Sequence, residues 1–422
     1  MPDEPIRQPS FAEALRFWLK LGFISFGGPA GQIAIMQTEL VDKRRWIEQE
    51  RFLHALNFCM LLPGPEAQQL AIYIGWLLHR TAGGVVAGAL FVLPSVFILW
   101  GLSAVYAIYG NVPWIAAIFY GLKPAVLAIV AAAVIRIGRK SLTDALMWSI
   151  AALAFIALFW LHVPYPVVVL TALLIGFVNA RWRTQTTHLA RSTPNESNWR
   201  RTIRVALVCL ALWWTPILAA GVLAGRNSTL FQEGLFFSKA ALVTFGGAYA
   251  VLPYVAQHAL DTYGWLRPGQ MMDGLGLAET TPGPLIMVLQ FVGFMGGWNH
   301  AGATTPLLAA TLGALITTWA TFVPCFLWIF VGAPYIERLR ENASLRAALS
   351  TVTAAVVGVV LNLAVWFGLH VMFPAGRPID WFAIAICIVA FLGLVKWRCD
   401  VIPVVVCSGL AGLLYRLALT PG

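Results

Sequence analysis

RFWLKLGFISFGG, residues 16–28, returns as LFFSKAALVTFGG at residues 235–247. The shift between them is 219 residues. Without any gap, that shift carries Asp42 onto Asp261, Trp46 onto Trp265, Leu56 onto Leu275, and Pro63-Gly64-Pro65 onto Pro282-Gly283-Pro284. Matches that fall on Lys, Trp, Gly and Pro, in one order and at one spacing, define a two-repeat chain. The register holds to about residue 75; the second half then carries roughly ten further residues around WNHAGATTP, and similarity fades into apolar sequence.

The repeats are built for a bilayer. Hydrophobic residues make up 59% of the 422 and charged residues 11%, with a mean hydropathy of +0.78, whereas a soluble domain has roughly 25% charged residues. Apolar runs long enough to cross ~30 Å of hydrocarbon recur near 83–109, 113–135, 142–161, 163–180, 203–224, 304–332, 347–372, 380–395 and 400–418. Backbone facing lipid must satisfy its own hydrogen bonds, so these runs predict helices. The expected fold is an all-α polytopic membrane protein. MPDEPIRQPS at the N-terminus has no short apolar core with a small-residue cleavage site, so no removable signal peptide is expected. The six cysteines are scattered through apolar segments and read as small packing residues.

The net charge of +10 does not point to nucleic acid, because the basic residues are distributed by loop and form no single stripe. Between the repeats lies RWRTQTTHLARSTPNESNWRRTIR, residues 181–204, followed by one extra apolar helix at 203–224. If each repeat crosses an even number of times, that helix turns the second repeat upside down. With the 181–204 loop inside, counting helices outward puts 21 Lys and Arg on the cytoplasmic side and 4 outside, and leaves Lys20, Lys123 and Lys239 within the membrane. Cytoplasmic loops are enriched in Lys and Arg, so the split supports opposite orientation of the halves, a transporter signature. The expected domains are a first repeat (1–180), a basic cytoplasmic linker (181–202), a connecting helix (203–224) and a second, inverted repeat (225–422), with the N-terminus also cytoplasmic.

Each repeat opens with two broken hairpins. The first runs to Phe26-Gly27-Gly28-Pro29 and turns back through AGQIAIMQTELVDKRRW; the second climbs from Glu48 to Leu62, breaks at Pro63-Gly64-Pro65 and returns to His79-Arg80. Glycine permits positive φ and close backbone approach, and proline prevents helix continuation. A break in a membrane helix exposes N–H groups at a new helix N-terminus, which suits an anion. Gly27 and Gly28, with Gly246 and Gly247, are therefore candidate ligand contacts, and Pro282, Gly283 and Pro284 repeat the second break. Lys20 and Lys239, each six residues before the Phe of FGG, are candidate anion-binding charges, because a charge at membrane depth is costly and turns inward; the alternative is a lysine snorkelling to the interface. Ser25, Thr244, Gln68, Gln69, Thr280 and Thr281 are polar groups beside the breaks, able either to contact a ligand or to serve freed backbone. Glu66, Glu279 and Lys123 are candidates for coupling or selectivity, against a first-turn helix-dipole role for the carboxylates and a buried ion pair for the lysine. Trp46 and Trp265 read as interfacial anchors, and His54 and its counterpart Asp273 as candidates to line an access path.

FGGP, ELVDKRRWI and LLPGPEAQQLAIYIGW in the first half, with FGGAYAVLPYV, GWL and AETTPGPL in the second, together resemble the chromate ion transporter family in its long, two-domain form. The resemblance implies a bacterial inner-membrane protein that expels chromate, a tetrahedral dianion close to sulfate, through two homologous domains of opposite orientation. The second repeat departs from the first in having Ala248 where the first has Pro29, and in lacking an acidic residue after its Pro-Gly-Pro. The expected mechanism is alternating access, with the oxyanion between the repeats and efflux driven by the membrane potential, alone or with ion exchange. A general sulfate-type or other small-anion carrier and a passive anion channel are the alternatives. Partners expected are a chromate or sulfate-like oxyanion and the lipid bilayer, with a homodimer left open. No cofactor or metal is expected, nor an enzyme: HExxH, a paired Asp motif and a convergent His cluster are all missing from the sequence.

Overall fold

A computed structural model of the chain describes residues 8–26, 28–183, 199–333, 343–373 and 378–419, and these are helical with no strand among them. Gly27, residues 184–198 of the linker, and Arg7, Arg338, Arg340 and Arg377 of the charge count lie outside the described residues. Among the described residues six helices are long and apolar enough to cross a membrane, and four shorter apolar helices accompany them, so the chain is a multi-pass membrane protein.

The first repeat begins with α1 (Phe11–Ile24), started by Ser10, whose hydroxyl accepts from the Glu13 amide at 3.2 Å. After the FGG break come α2 (Gly28–Gln37), a π-turn segment (Thr38–Lys43) and α3 (Gln49–Cys59). Beyond Pro63-Gly64-Pro65 runs α4 (Glu66–Tyr109), which is interrupted by non-helical backbone at His79 and Arg80. There the chain doubles back: a Cβ on Gly75 would strike the carbonyl of Gly83. The expected return at His79-Arg80 is thus a tight reversal between antiparallel helical arms. α5 (Pro113–Ser141), α6 (Ala145–Phe159) and α7 (Tyr165–Arg183) complete the half.

α8 (Trp199–Leu223) stands alone between the halves. The second repeat then reproduces the first: α9 (Thr229–Val243) is capped by Ser228, and α10 (Ala248–Gln257), a second π-turn segment (His258–Thr262) and α11 (Gln270–Thr280) follow in order. After the second Pro-Gly-Pro come α12 (Val288–Asn299), α13 (Pro306–Gly332), α14 (Ala343–Met372), α15 (Trp381–Val395) and α16 (Val401–Leu419). Small irregularities repeat as well. The Phe26 amide donates to the Ile24 carbonyl at 3.0 Å, as Phe245 does to Val243 at 3.1 Å; Arg44 donates to Glu39 at 3.1 Å, as Tyr263 does to His258 at 2.9 Å.

Helices close on one another through small residues, as membrane helices do when apolar burial gives little preference for protein over lipid. A Cβ on Gly121 of α5 would stand 2.8 Å from the Cα of Gly412 on α16, and one on Gly293 of α12 would be 2.6 Å or less from atoms of α13.

Two expectations change here. Trp46 and Trp265 are buried inside the protein and do not face lipid. Trp46 packs edge-on against Phe17 with the Arg44 guanidinium over its ring, and Trp265 stacks on Tyr263 at 4.3 Å and on Phe237. The rings fill the space behind each first hairpin, where burial of a large aromatic surface outweighs interfacial anchoring. Of the cysteines, Cys59, Cys209, Cys325 and Cys387 are buried packing residues, but Cys399 and Cys407 are exposed.

Candidate functional site

The breaks of the two halves meet. The Gly64 amide donates to the Thr244 carbonyl at 2.7 Å, and the Gly283 amide donates to the Ser25 carbonyl at 2.7 Å. Each Pro-Gly-Pro of one repeat is therefore tied to the FGG approach of the other, and the 219-residue shift turns one bond into its mate. Gly64 and Gly283 hold φ of 117° and 113°, backbone that an L side chain adopts only with strain. The carbonyls released by the second break are also met. Ser95 of α4 donates to Pro282 at 2.6 Å and the Gln32 amide to Gly283 at 2.6 Å. At the first break Gln69 donates to Pro63 at 2.7 Å. Unpaired backbone is costly at membrane depth, and here protein groups from both repeats satisfy it.

Side chains around the breaks follow the backbone-serving alternative. Ser25 donates to Leu21 and Thr244 to Ala240, both at 2.6 Å; Thr280 donates to Leu277 at 2.9 Å and Thr281 to Ala278 at 3.1 Å. These hydroxyl protons are engaged by carbonyls of their own helices. Gln68 and Gln69 are buried, and their amide oxygens have no hydrogen-bond partner among the described residues; a carbonyl oxygen presents negative potential.

Open space lies beside the first-break glycines. Gly28, Gly246 and Gly247 all have positive φ, and a Cβ on Gly28 or Gly247 would meet no heavy atom within 4 Å. A cavity of about 980 Å³ is bounded by Phe26 of the first repeat's break, by Tyr249 and Glu279 of the second repeat, by Arg136 and Arg139 near the end of α5, and by Arg398, Cys399 and Asp400 between α15 and α16. Tyr249 donates to Glu279 Oε1 at 2.6 Å, which fixes the carboxylate at the inner wall. Three guanidiniums face two carboxylates there, so the lining carries a positive excess. Arginine presents a planar fork of donors that matches a tetrahedral oxyanion and keeps its charge in any surroundings.

The two repeat lysines do not join this cavity. Lys20 is exposed, next to the outward residues Leu19 and Phe23 (52% exposed), while Phe17, Trp18 and Leu21 of the same helix are buried. It lines a separate cleft of about 500 Å³ with Ser10, Glu13, Arg16 and Arg44. Near that cleft Glu39 accepts from Lys43 at 2.7 Å; this bond, with the charges of Lys43, Lys20 and Arg44 and against the opposing effect of burial, holds the Glu39 pKa below its ordinary value. Lys239 is likewise exposed. The helix azimuth, which a depth argument does not fix, points both lysines outward.

Lys123 has the carboxylate partner its alternative reading required. Its ammonium lies 3.6 Å from Asp273 Oδ1, and the Tyr106 hydroxyl donates to Oδ2 at 2.8 Å. His54 instead pairs with Glu50 at 3.5 Å. Glu66 is a half-buried first-turn residue of α4 behind Pro65, which makes no side-chain cap. The arginines of the cavity escaped the sequence reading because the apolar run ends near 135 and they were counted with the loop. A signal existed: Arg136 and Arg139 are three residues apart, hence on one face if the helix continues.

Among known proteins, a family model described as "Chromate transporter" matches residues 12–177 and again 231–413. The chain is 34% identical to a chromate transport protein of Pseudomonas aeruginosa, over 96% of this chain and 92% of that protein. It is 30% identical to a probable chromate transport protein of Synechococcus elongatus, over 85% of each chain. A chromate transport protein of Cupriavidus metallidurans is also 30% identical, over 84% of this chain and 81% of its own length. No solved structure matches.

Proposed function

The chain belongs to the chromate transporter family, and we propose that it exports chromate from the cytoplasm by alternating access, as a transporter and not an enzyme. The observation that carries the reading is the cavity where Arg136, Arg139 and Arg398 stand over the first-repeat break and the Tyr249–Glu279 pair. An exporter has to accept a dianion from the cytoplasm, and the basic-residue count assigns these arginines to that side. In this reading the guanidiniums draw the oxyanion in, and backbone at Gly28, Gly246 and Gly247 receives it deeper. The positive-φ glycines let the backbone approach without a side chain in the way.

The inverted arrangement of the repeats is part of the same proposal. Reciprocal bonds, in which Gly64 reaches Thr244 and Gly283 reaches Ser25, are what a two-fold relation between halves would produce, since residue i then contacts j as j contacts i. A two-fold axis in the membrane plane gives two equivalent end states, one open to each side. Moving two negative charges outward down an inside-negative potential releases about 4.6 kcal/mol per 100 mV, so the potential suffices to drive efflux.

The test is flux of radiolabelled chromate and sulfate in proteoliposomes under a clamped potential. The reading requires chromate flux that rises with the potential and trans-stimulation by substrate on the far side. Flux without trans-stimulation would identify a passive channel, and preference for sulfate a general sulfate-type carrier.

A further inference from the structure

Glu233 lies in the first half of α9 and is wholly buried, at 0% exposure. Neither carboxylate oxygen has a hydrogen-bond partner among the described residues. Its surroundings are small or apolar: a Cβ on Gly296 of α12 would strike Oε1, one on Gly313 of α13 would stand 2.8 Å from Oε2, and the Trp265 ring lies beside Gly296. The side chain also borders a cavity of about 700 Å³, formed by Arg226 and Asn227 before α9 and by His300 and Thr304 after α12. This cavity shares no lining residue with the arginine cavity. The basic-residue count assigns Arg226 and the 298–303 loop to the outside.

A carboxylate buried without donors is stable only when its charge is removed or matched. Of the elements packed against α9, the described parts of α10, α12 and α13 carry no Lys, Arg, His, Asp or Glu; α8 carries its arginines at 200, 201 and 204, near its N-terminus; and the His258–Thr262 segment, which also carries Asp261, stacks His258 on Phe236 of α9. The charged or titratable groups that share the cavity are Arg226 and His300; Lys239, on α9 itself, is exposed. A resident divalent cation would need several oxygen ligands, and the lining offers one acidic side chain. A proton is the ligand that fits. His300 Nδ1 lies 3.3 Å from the Gly296 carbonyl; a carbonyl only accepts, so Nδ1 donates and Nε2 is left to receive and pass on a proton. The first-repeat counterpart of Glu233 is Ala14, so the site belongs to one half alone.

We infer that Glu233 is a proton-binding site, filled and emptied through the Arg226–His300 cavity, and that its occupancy changes during transport. The role in the cycle rests on the transporter reading; the site itself does not. Infrared difference spectroscopy of the full-length protein in lipid tests the site without any flux. A protonated-carboxyl C=O band should be present in the wild type near neutral pH, be lost in Glu233→Gln, return shifted in Glu233→Asp, and change when chromate is added. In proteoliposomes at clamped potential, an imposed pH gradient should alter wild-type chromate flux severalfold; Glu233→Gln should lose that response yet keep its response to potential, which shows it is folded. A missing Glu233-dependent band overturns the site. A pH-gradient response that survives in Glu233→Gln, or a response to a sodium gradient in place of a proton gradient, overturns the coupling. Absence of any wild-type chromate flux would count against the transporter reading, while the infrared band would still decide whether Glu233 holds a proton.

Discussion

The amide of Gly64 donates to the carbonyl of Thr244 at 2.7 Å, across 180 residues of sequence and from one repeat to the other. The bond and its mate from Gly283 to Ser25 depend on backbone that glycine alone adopts easily. Gly283→Ala should be the more damaging change, because its Cβ would collide with Ser95 Oγ, whereas at Gly64 the nearest atoms are Gln69 Nε2 at 3.0 Å and Cys325 Sγ at 3.1 Å. Strained φ alone costs about 1–3 kcal/mol. Thermal unfolding in detergent should rank wild type above Gly64→Ala above Gly283→Ala, and Gly283→Ala with Ser95→Gly should recover part of the loss.

Arginine and lysine variants separate two placements of the binding charge. Removing a charged hydrogen-bonding group costs about 1.5–3 kcal/mol, roughly tenfold or more in apparent affinity. Arg136→Ala and Arg139→Ala should therefore raise the chromate KM by about that factor, while Lys20→Ala and Lys239→Ala, on exposed helix faces, should stay close to wild type. The reverse order would return the site to the lysines.

Lys123 and Asp273 should behave as a coupled pair. Lys123→Met leaves a buried carboxylate whose side-chain hydrogen-bond partner among the described residues is Tyr106, and breaking a buried pair costs about 3–5 kcal/mol, less here because the lysine side chain is 31% exposed. The double variant Lys123→Met with Asp273→Asn should be more stable than Lys123→Met alone. Purely additive losses would mean that the pair does not interact.

Acid should loosen the turn after α2. The Glu39 pKa lies below its ordinary value because of Lys43, so the folded state binds fewer protons there than the unfolded one. The stabilisation is present above the ordinary carboxylate value of 4.5 and is lost as pH falls through the lower folded value. Glu39→Gln should flatten that part of the stability–pH curve, measured by unfolding between neutral and acid pH.

Cys399 is a native reporter of the arginine cavity, which it lines. In a Cys407→Ser background an impermeant maleimide should label it from the cytoplasmic side, and sulfate should slow the reaction. Labelling from outside would reverse the orientation derived from the basic residues.

Much of the architecture was legible because it rests on residues whose chemistry is local. Proline and glycine end helices wherever they stand, so both breaks and the 219-residue spacing could be read directly. Apolar length does not depend on neighbours, and the expected spans coincide with helices. The site was less legible because it depends on azimuth and on continuation. Lys20 and Lys239 lie near the breaks in sequence, yet their helices turn them outward. Arg136 joins the cavity because α5 continues to Ser141, beyond the end of the apolar run. Glu233 carries no local signal, since its burial depends on which face of α9 packs inward.

The crossed bonds at the breaks also bear on what happens when the chain is divided. A first half made alone would present the Gly64 amide without the Thr244 carbonyl, and would leave the Ser25 carbonyl with only the longer 3.4 Å bond from Gln32 among the described residues; a second half would likewise lack partners for Gly283 and Thr244. Each fragment would carry partners for the other, so the two breaks themselves specify how one half is seated on the other.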